Sequence, residues 1–358
     1  AAFLLFKFNT MKTRIYLSFA VLWIYLFTCT GQTYNQPDIK FVRNDAERKV
    51  DVFAGGILLT SYCWPENVYK PVLYPLYTAS GTEITRGFPL RPRQGERNDH
   101  IHQTGVWFNY GKVNGYDFWG NGSRGYKEPG GGEIKHLGID KLEGGRGEGI
   151  LSYRAAWLTP KGYELLAEET GYHFMARGSL RIIDRITTLS ANDSTVVFSD
   201  TKEGMFGIRV ARQLELPVNE MVTLLDASGK PSPVKVKASE GVTGNYRSSA
   251  GVTGEGIWGT RAKWMHLYGT VNGEKVSLII CDHPGNPGYP TYWHARGYGL
   301  FAANPLGWND FTKGKEQFNF ALKPRQKVLF RYRIIISSGT HLSDAEINSL
   351  AEEFSEKY

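Results

Sequence analysis

The sequence predicts an all-β protein, a large antiparallel β-sandwich with a short C-terminal helix. Three observations lead there. Short alternating apolar and polar runs recur along the chain, glycine clusters punctuate them, and clear helical spacing is confined to residues 343–358.

The N-terminus stands outside this pattern. Residues 1–10, AAFLLFKFNT, precede Met11 and read as translated upstream sequence. Residues 11–32 have the outline of a secretory signal: basic Lys12 and Arg14, then the apolar run Ile15–Phe27. That run is long enough for a signal core and short for a membrane span. A genuine membrane anchor is the alternative, since residues 1–8 are also apolar. Leu26-Phe27-Thr28-Cys29 resembles a bacterial lipoprotein site, so a lipid anchor at Cys29 and plain cleavage near Gly31 or Gln32 both stand. Either route predicts an exported protein of the periplasm or cell surface.

Removing residues 1–32 takes away Lys7, Lys12 and Arg14 and lowers the net charge from +7 to +4. That weak charge is spread without blocks, so there is no basic patch for nucleic acid. No later stretch is long and apolar enough to cross a membrane as a helix. Cys63 and Cys281 either form one bridge or stay as buried thiols, and there is no disulfide framework.

Residues 33–342 read as a single β domain. In RIIDRITTLSA, Ile182, Asp184, Ile186 and Thr188 share one face, with Ile183 and Leu189 on the other. KVLFRYRIIISS sets Val328, Phe330 and Tyr332 against Leu329, Arg331 and Arg333. VSLIICD is continuously apolar until its end and suits a strand buried on both faces. PGGGE (129–133) and EGGRGEG (143–149) read as loops. Ser343 and Glu346 form a capping box ahead of Ile347, Leu350, Ala351 and Phe354, whose stripe should lie against the sheets.

Common nucleotide and nucleophile signatures find no support. GYGLFA (297–302) fits a loose dinucleotide pattern, but it lies in an alternating β stretch with no helix behind it. A phosphate-binding P-loop, His-Glu-x-x-His and Gly-x-Ser-x-Gly are all missing from the sequence.

Three stretches gather chemistry instead. In RNDHIHQTGVWFNYGKVNGYDFWG (97–120), His100 and His102 on an extended chain would share a face about 6.6 Å apart. That spacing suits two donors to one polar ligand, or two ligands of a metal. Asp99 would point away unless the backbone turns. The second stretch, 281–310, has a proline-stiffened loop after His283, then Tyr292, His294, Arg296 and Tyr298 alternating onto one face. Trp293 and Ala295 take the other. A face of rings and donors makes a poor core and a good ligand platform. In DTKEGMFGIRVAR (200–212), Phe206, Ile208 and Val210 face the core while Glu203 and Arg209 lie opposite. They would stand about 20 Å apart on a straight strand, so sharing a site requires a turn at Lys202-Glu203-Gly204.

Rings interleaved with these polar types on a β scaffold suit sugars, whose C–H faces stack and whose hydroxyls take polar partners. The sequence therefore predicts action on a carbohydrate or glycoside. His100, His102, Glu203 and His283 are the candidate acid/base groups. Asp99, Trp107, Lys202, Arg209, Tyr292, Trp293, His294 and Arg296 are the candidate substrate-binding residues. Hydrolysis or lyase cleavage comes first and epimerisation second, with a non-catalytic sugar-binding lipoprotein as the main rival. No cofactor is predicted. A divalent metal held by His100 and His102 with His283 or His294 is a further alternative.

The same stretches resemble a group of exported bacterial proteins labelled "methane oxygenase PmoA-like", a domain of unknown function. The markers are DHIHQTGVWFNYGKVNGYDFW, DTKEGMFGIRVA and DHPGNPGYPTYWHARGYGLFAANPLG. The group's pattern, Asp-His-Pro-His-His-Arg-Gly-x-Trp, is met at Asp99, His100, His102, Gly105 and Trp107. Ile101, Gln103 and Thr104 depart from it, so a mechanism needing a third histidine or that arginine does not carry over. The label itself implies a membrane-spanning helical subunit that this sequence cannot form, and methane oxidation is set aside. The β-rich run is also similar to the galactose-mutarotase type of supersandwich, which implies sugar chemistry on a concave sheet face.

Overall fold

Strand formation follows side-chain alternation. In β2 (Lys49–Ala54), Val50, Val52 and Ala54 are buried and the residues between them only partly so. The computed structural model describes residues 36–120 and 130–358, and the expected signal segment, with Cys29, lies outside them. β1 (Asp38–Asn44), β2, β3 (Ile57–Cys63), β4 (Val72–Leu76) and β5 (Val106–Tyr110) form an antiparallel meander. Four long strands follow: β6 (Glu133–Arg146), β7 (Glu148–Leu158), β8 (Glu164–Arg177) and β9 (Leu180–Ala191). Next come β10 (Val196–Phe198), β11 (Gly204–Arg209), β12 (Met221–Leu225), β13 (Pro231–Lys237) and β14 (Asn245–Ser248). The last are β15 (Trp264–Val271), β16 (Glu274–Asp282), β17 (Tyr292–Ala295), β18 (Leu300–Asn304), β19 (Phe320–Leu322) and β20 (Lys327–Ser338). A short helix α1 (Trp308–Phe311) precedes β19, and α2 (Asp344–Lys357) ends the chain.

Two antiparallel halves make up the main sheet. One runs β14-β15-β16-β20-β9-β8-β7-β6, the other β1-β2-β3-β4-β5-β11-β18-β17. Among the described residues they join through the short β1–β6 pairing at Asp38–Arg146 and Ile39–Gly145. The halves fold face to face: Phe108 packs against Phe330 (ring centroids 5.6 Å) and Phe206 stacks on Tyr332 (5.0 Å). This is the predicted β-sandwich. Each large apolar side chain sealed between the layers contributes about 1.5–3 kcal/mol.

β16 is buried on both sides, as its apolar run predicts. Val276, Leu278 and Ile280 enter the inter-sheet core, while Ile279 and Cys281 face a second cluster under α2. That helix carries the capping box at Ser343 and Glu346 and packs Ile347 and Phe354 onto Ile182 and Ile335. Cys63 and Cys281 are free thiols, and burial pushes both up to about 12.

One prediction needs correcting. EGGRGEG is not a loop but the tip of the β6–β7 hairpin, with only Gly147 outside the strands, in a left-handed turn (φ 76°). The glycines are there because β1 passes close by. A Cβ on Gly144 would sit 2.4 Å from the Ile39 carbonyl oxygen, and one on Gly149 would sit 2.5 Å from the Ile39 side chain. Within PGGGE, Gly131 and Gly132 lead straight into β6. Among the described residues, no helix is long and apolar enough to cross a membrane.

Candidate functional site

The His100–Gln103 segment is a turn, not a strand. His100 has φ 45° and the Gln103 N–H donates to its carbonyl at 2.9 Å. The cause lies elsewhere in the chain. Arg86, buried to 1% exposure, donates to the carbonyls of Asp99, His100 and Gln103 at 2.8, 3.0 and 2.9 Å and bends the segment around its guanidinium. Burial lowers Arg86 to about 9, helped by the neighbouring Arg209 and opposed by Asp99.

The turn brings Asp99 back against its neighbours. Its Oδ1 accepts from Arg86 (2.8 Å) and Arg209 (2.7 Å), and its Oδ2 lies 3.2 Å from Nδ1 of His100. Burial alone would raise this carboxyl. The hydrogen bond from His100 and the two guanidiniums override burial and hold it well below the usual carboxylate range. Arg209 also donates to Oε1 of Gln103 at 2.6 Å and lies 4.8 Å from the Tyr298 ring. Tyr298 in turn stacks flat on His100, with centroids 5.0 Å apart. Thus Asp99 and Arg209 lie behind His100 and fix its orientation.

In front of them opens a cavity of about 560 Å³. His100, His102, Lys202, Glu203, His294 and Arg296 line it, bringing together six of the twelve predicted site residues from three distant stretches. Glu203 reaches it from the predicted turn, where a Cβ on Gly204 would sit 2.4 Å from the Tyr110 ring. Its carboxylate pairs with Lys202. His102 is lowered to about 3 by burial and then by the charge of Lys70, whose Nζ donates to the His102 carbonyl at 2.8 Å. His294 is also lowered to about 3, by burial first and then by Arg296 and Lys202. Both imidazoles are therefore neutral hydrogen-bonding groups at ordinary pH.

Four predicted residues lie elsewhere. Trp107 is fully buried behind the cavity, edge-on to Trp119 at 5.4 Å, and touches no open space. Trp293 points into the core, its Nε1 donating to the Ala262 carbonyl. Tyr292 shares the face of His294 but is covered by Phe311 (5.2 Å) and Arg261 (5.2 Å). His283 is the largest departure. It directly follows β16, packed edge-on to Phe354 of α2 at 5.2 Å, and takes no part in the cavity. The prolines after it turn the chain so that β17 reaches the site without it. Among the described residues no group of three His, Cys, Asp or Glu is arranged to hold a metal.

Sequence reasoning missed Trp119, Asp117 and the pinning Arg86. Asp117 Oδ1 accepts from the N–H groups of Trp119 and Gly120, both at 2.9 Å, in a side-chain-capped turn that sets the Trp119 ring beside His294 (6.1 Å). Asp117, two residues before Trp119, was the available signal for that turn. Arg86 had no local signal at all.

Solved structures with a similar strand arrangement include an α-galactosidase from Lactobacillus brevis (11% identity, TM-score 0.37). The match covers 84% of this chain and 39% of that one, so the chain spans about two-fifths of the galactosidase. A galactose 1-epimerase from Lactobacillus acidophilus NCFM matches at 11% identity and TM-score 0.38, over 86% of this chain and all of that one. A galactose mutarotase-like protein from Clostridium acetobutylicum matches at 9% identity and TM-score 0.35, over 84% and 99%. No curated protein matches. Residues 49–352 match the model of a family of unknown function (DUF6807), and the chain belongs to that family.

Proposed function

We propose that the protein acts on a carbohydrate or glycoside by general acid/base chemistry in this cavity. The observation that carries the reading is one polar cavity holding His100, backed by Asp99, and Glu203 from a separate element. Asp99 accepts from Nδ1 of His100, which leaves Nε2 to take a proton from a sugar hydroxyl or return one to a glycosidic oxygen. The imidazolium formed on the way is stabilised by the same carboxylate. Glu203, poised by Lys202, is the complementary group. His102 and His294, held neutral, orient hydroxyls, and Tyr298 and Trp119 supply ring surface at the wall. Glycoside cleavage is the leading reaction, with epimerisation of the ring as the second.

The setting we propose is outside the cytoplasm, in the periplasm or on the cell surface. The Met11–Phe27 signal outline supports export, and Cys29 supplies a lipidation point. The PmoA-like motifs place no oxygenase step in this proposal.

A product screen on the purified protein with plant, algal and host oligosaccharides tests the reading. A new product that disappears in His100→Ala and falls at least a hundredfold in Glu203→Gln, as expected for lost acid/base groups, supports it. Tight binding of a sugar with no product from any member of the panel would identify a binding protein instead.

A further inference from the structure

The charged groups lining the cavity are nearly all matched. Lys202 is paired with Glu203, and Glu220 with Arg97 at 3.0 Å. Asp117 is occupied by the backbone N–H groups of Trp119 and Gly120. Glu255 is exposed, where water screens its charge.

Arg296 differs. Its guanidinium lies 4.6 Å from the Trp258 ring, a cation–π contact. It has neither an ion pair nor a side-chain hydrogen bond among the described residues. Two residues earlier on the same strand face, His294 is 3% exposed and its Nδ1 has no partner. The indole Nε1 of Trp119, stacked beside it, is likewise buried and unpartnered. A cationic fork, an unpartnered donor and an unpartnered acceptor on residues lining one cavity fit a single ligand. It brings an anionic oxygen group for the guanidinium, another oxygen for the indole N–H and a hydroxyl for the imidazole.

We propose that Arg296 selects a sugar bearing an anionic substituent, a carboxylate or a sulfate ester, with Trp119 and His294 reading its neighbouring oxygen and hydroxyl. This rests on the cavity being a carbohydrate site and narrows its substrate class. Arginine suits the task because a planar fork meets carboxylate and sulfate oxygens two at a time.

Calorimetric titration tests it with three tetrasaccharides of one backbone, neutral, uronate-bearing and sulfated, alongside inorganic sulfate. An acidic sugar should bind about ten- to a hundredfold tighter than the neutral one, the range for a charged hydrogen-bonded contact, and added salt should shrink the margin. The uronate and sulfate arms show which anion is preferred. Arg296→Leu should abolish the margin, read as the ratio of acidic to neutral affinity in the same variant, and Arg296→Lys should retain part of it. The inference is overturned if the neutral sugar binds as well as the acidic ones, or if Arg296→Leu keeps the margin. In either case the carbohydrate reading survives. It is also overturned if inorganic sulfate binds as tightly as any sugar. Binding of no oligosaccharide at all would remove the carbohydrate reading and this inference together.

Discussion

Asp99 concentrates the electrostatics of the site in one side chain. Two buried guanidiniums and the His100 imidazole meet on its two oxygens. Asp99→Asn would leave Arg86 and Arg209 buried without their counter-charge. Breaking a buried pair from one side costs about 3–5 kcal/mol, and because Asp99 is a third exposed we expect about 2–3 kcal/mol, read as a lowered urea midpoint. A loss under about 0.5 kcal/mol would mean that solvent already screens the carboxylate. Its contribution should be complete above about pH 4, the unfolded carboxyl value, and fade below it, because the folded value is depressed. The neutral histidines act in a higher window. His102 and His294 are lowered to about 3 from about 6.5 when unfolded, so their contribution is complete above pH 6.5 and lost as pH falls towards 3. Each adds a slope of up to about 1.4 kcal/mol per pH unit in that range. Denaturation of His294→Asn between those limits should show a correspondingly shallower fall in stability, and an unchanged slope would show that His294 protonates without opening the fold.

At the scale of elements, β11 is the strand on which the site is mounted, and it is sealed against β5. A Cβ at Gly207 would stand 2.7 Å from the Trp107 ring, which is itself packed against Trp119 at the cavity wall. Gly207→Ala should cost about 1–3 kcal/mol by overpacking and should also weaken ligand binding, because the strain is relieved towards the wall. A thermal-shift assay and a sugar titration on the same variant separate the two effects; normal binding with lowered stability would place the relief elsewhere. Alternation made much of this legible. The face of β17 was readable because period-two spacing is a local property, and so was the turn that brings Glu203 to the head of β11. The histidine segment stayed open between extended chain and turn because its curvature is set by Arg86, which collects carbonyls from residues 13 to 17 positions further along. His283 was misplaced for a related reason. The proline loop after it separates two elements that sequence proximity had joined.

At the scale of the molecule, the sandwich was legible but its covered faces were not. Arg333 and Asp184 are charged residues on alternating strands, yet both are fully buried under α2, paired at 2.6 and 2.8 Å. Pattern alone cannot say which side of a strand another element will cover. The same blind spot hides the charge pair inside the sandwich. Glu168 accepts from Tyr153, Trp157, Thr170 and Arg185, and the Arg185 guanidinium lies 4.7 Å from the ring of Phe108 on the opposing half-sheet. The pair therefore bridges the two layers, and its value depends on both members being present. Glu168→Leu should cost about 3–5 kcal/mol because it strands a buried cation among aromatic rings. Arg185→Met should also destabilise, since it removes one of the donors to the carboxylate and the contact across the layers. The double variant should be more stable than Glu168→Leu alone, because the unpaired cation is gone even though Tyr153 and Trp157 still lack their acceptor. Denaturant unfolding of the four proteins gives the coupling directly, and we expect at least about 2 kcal/mol. Strict additivity would mean that the two layers are held by apolar packing alone, with the ion pair merely accommodated between them.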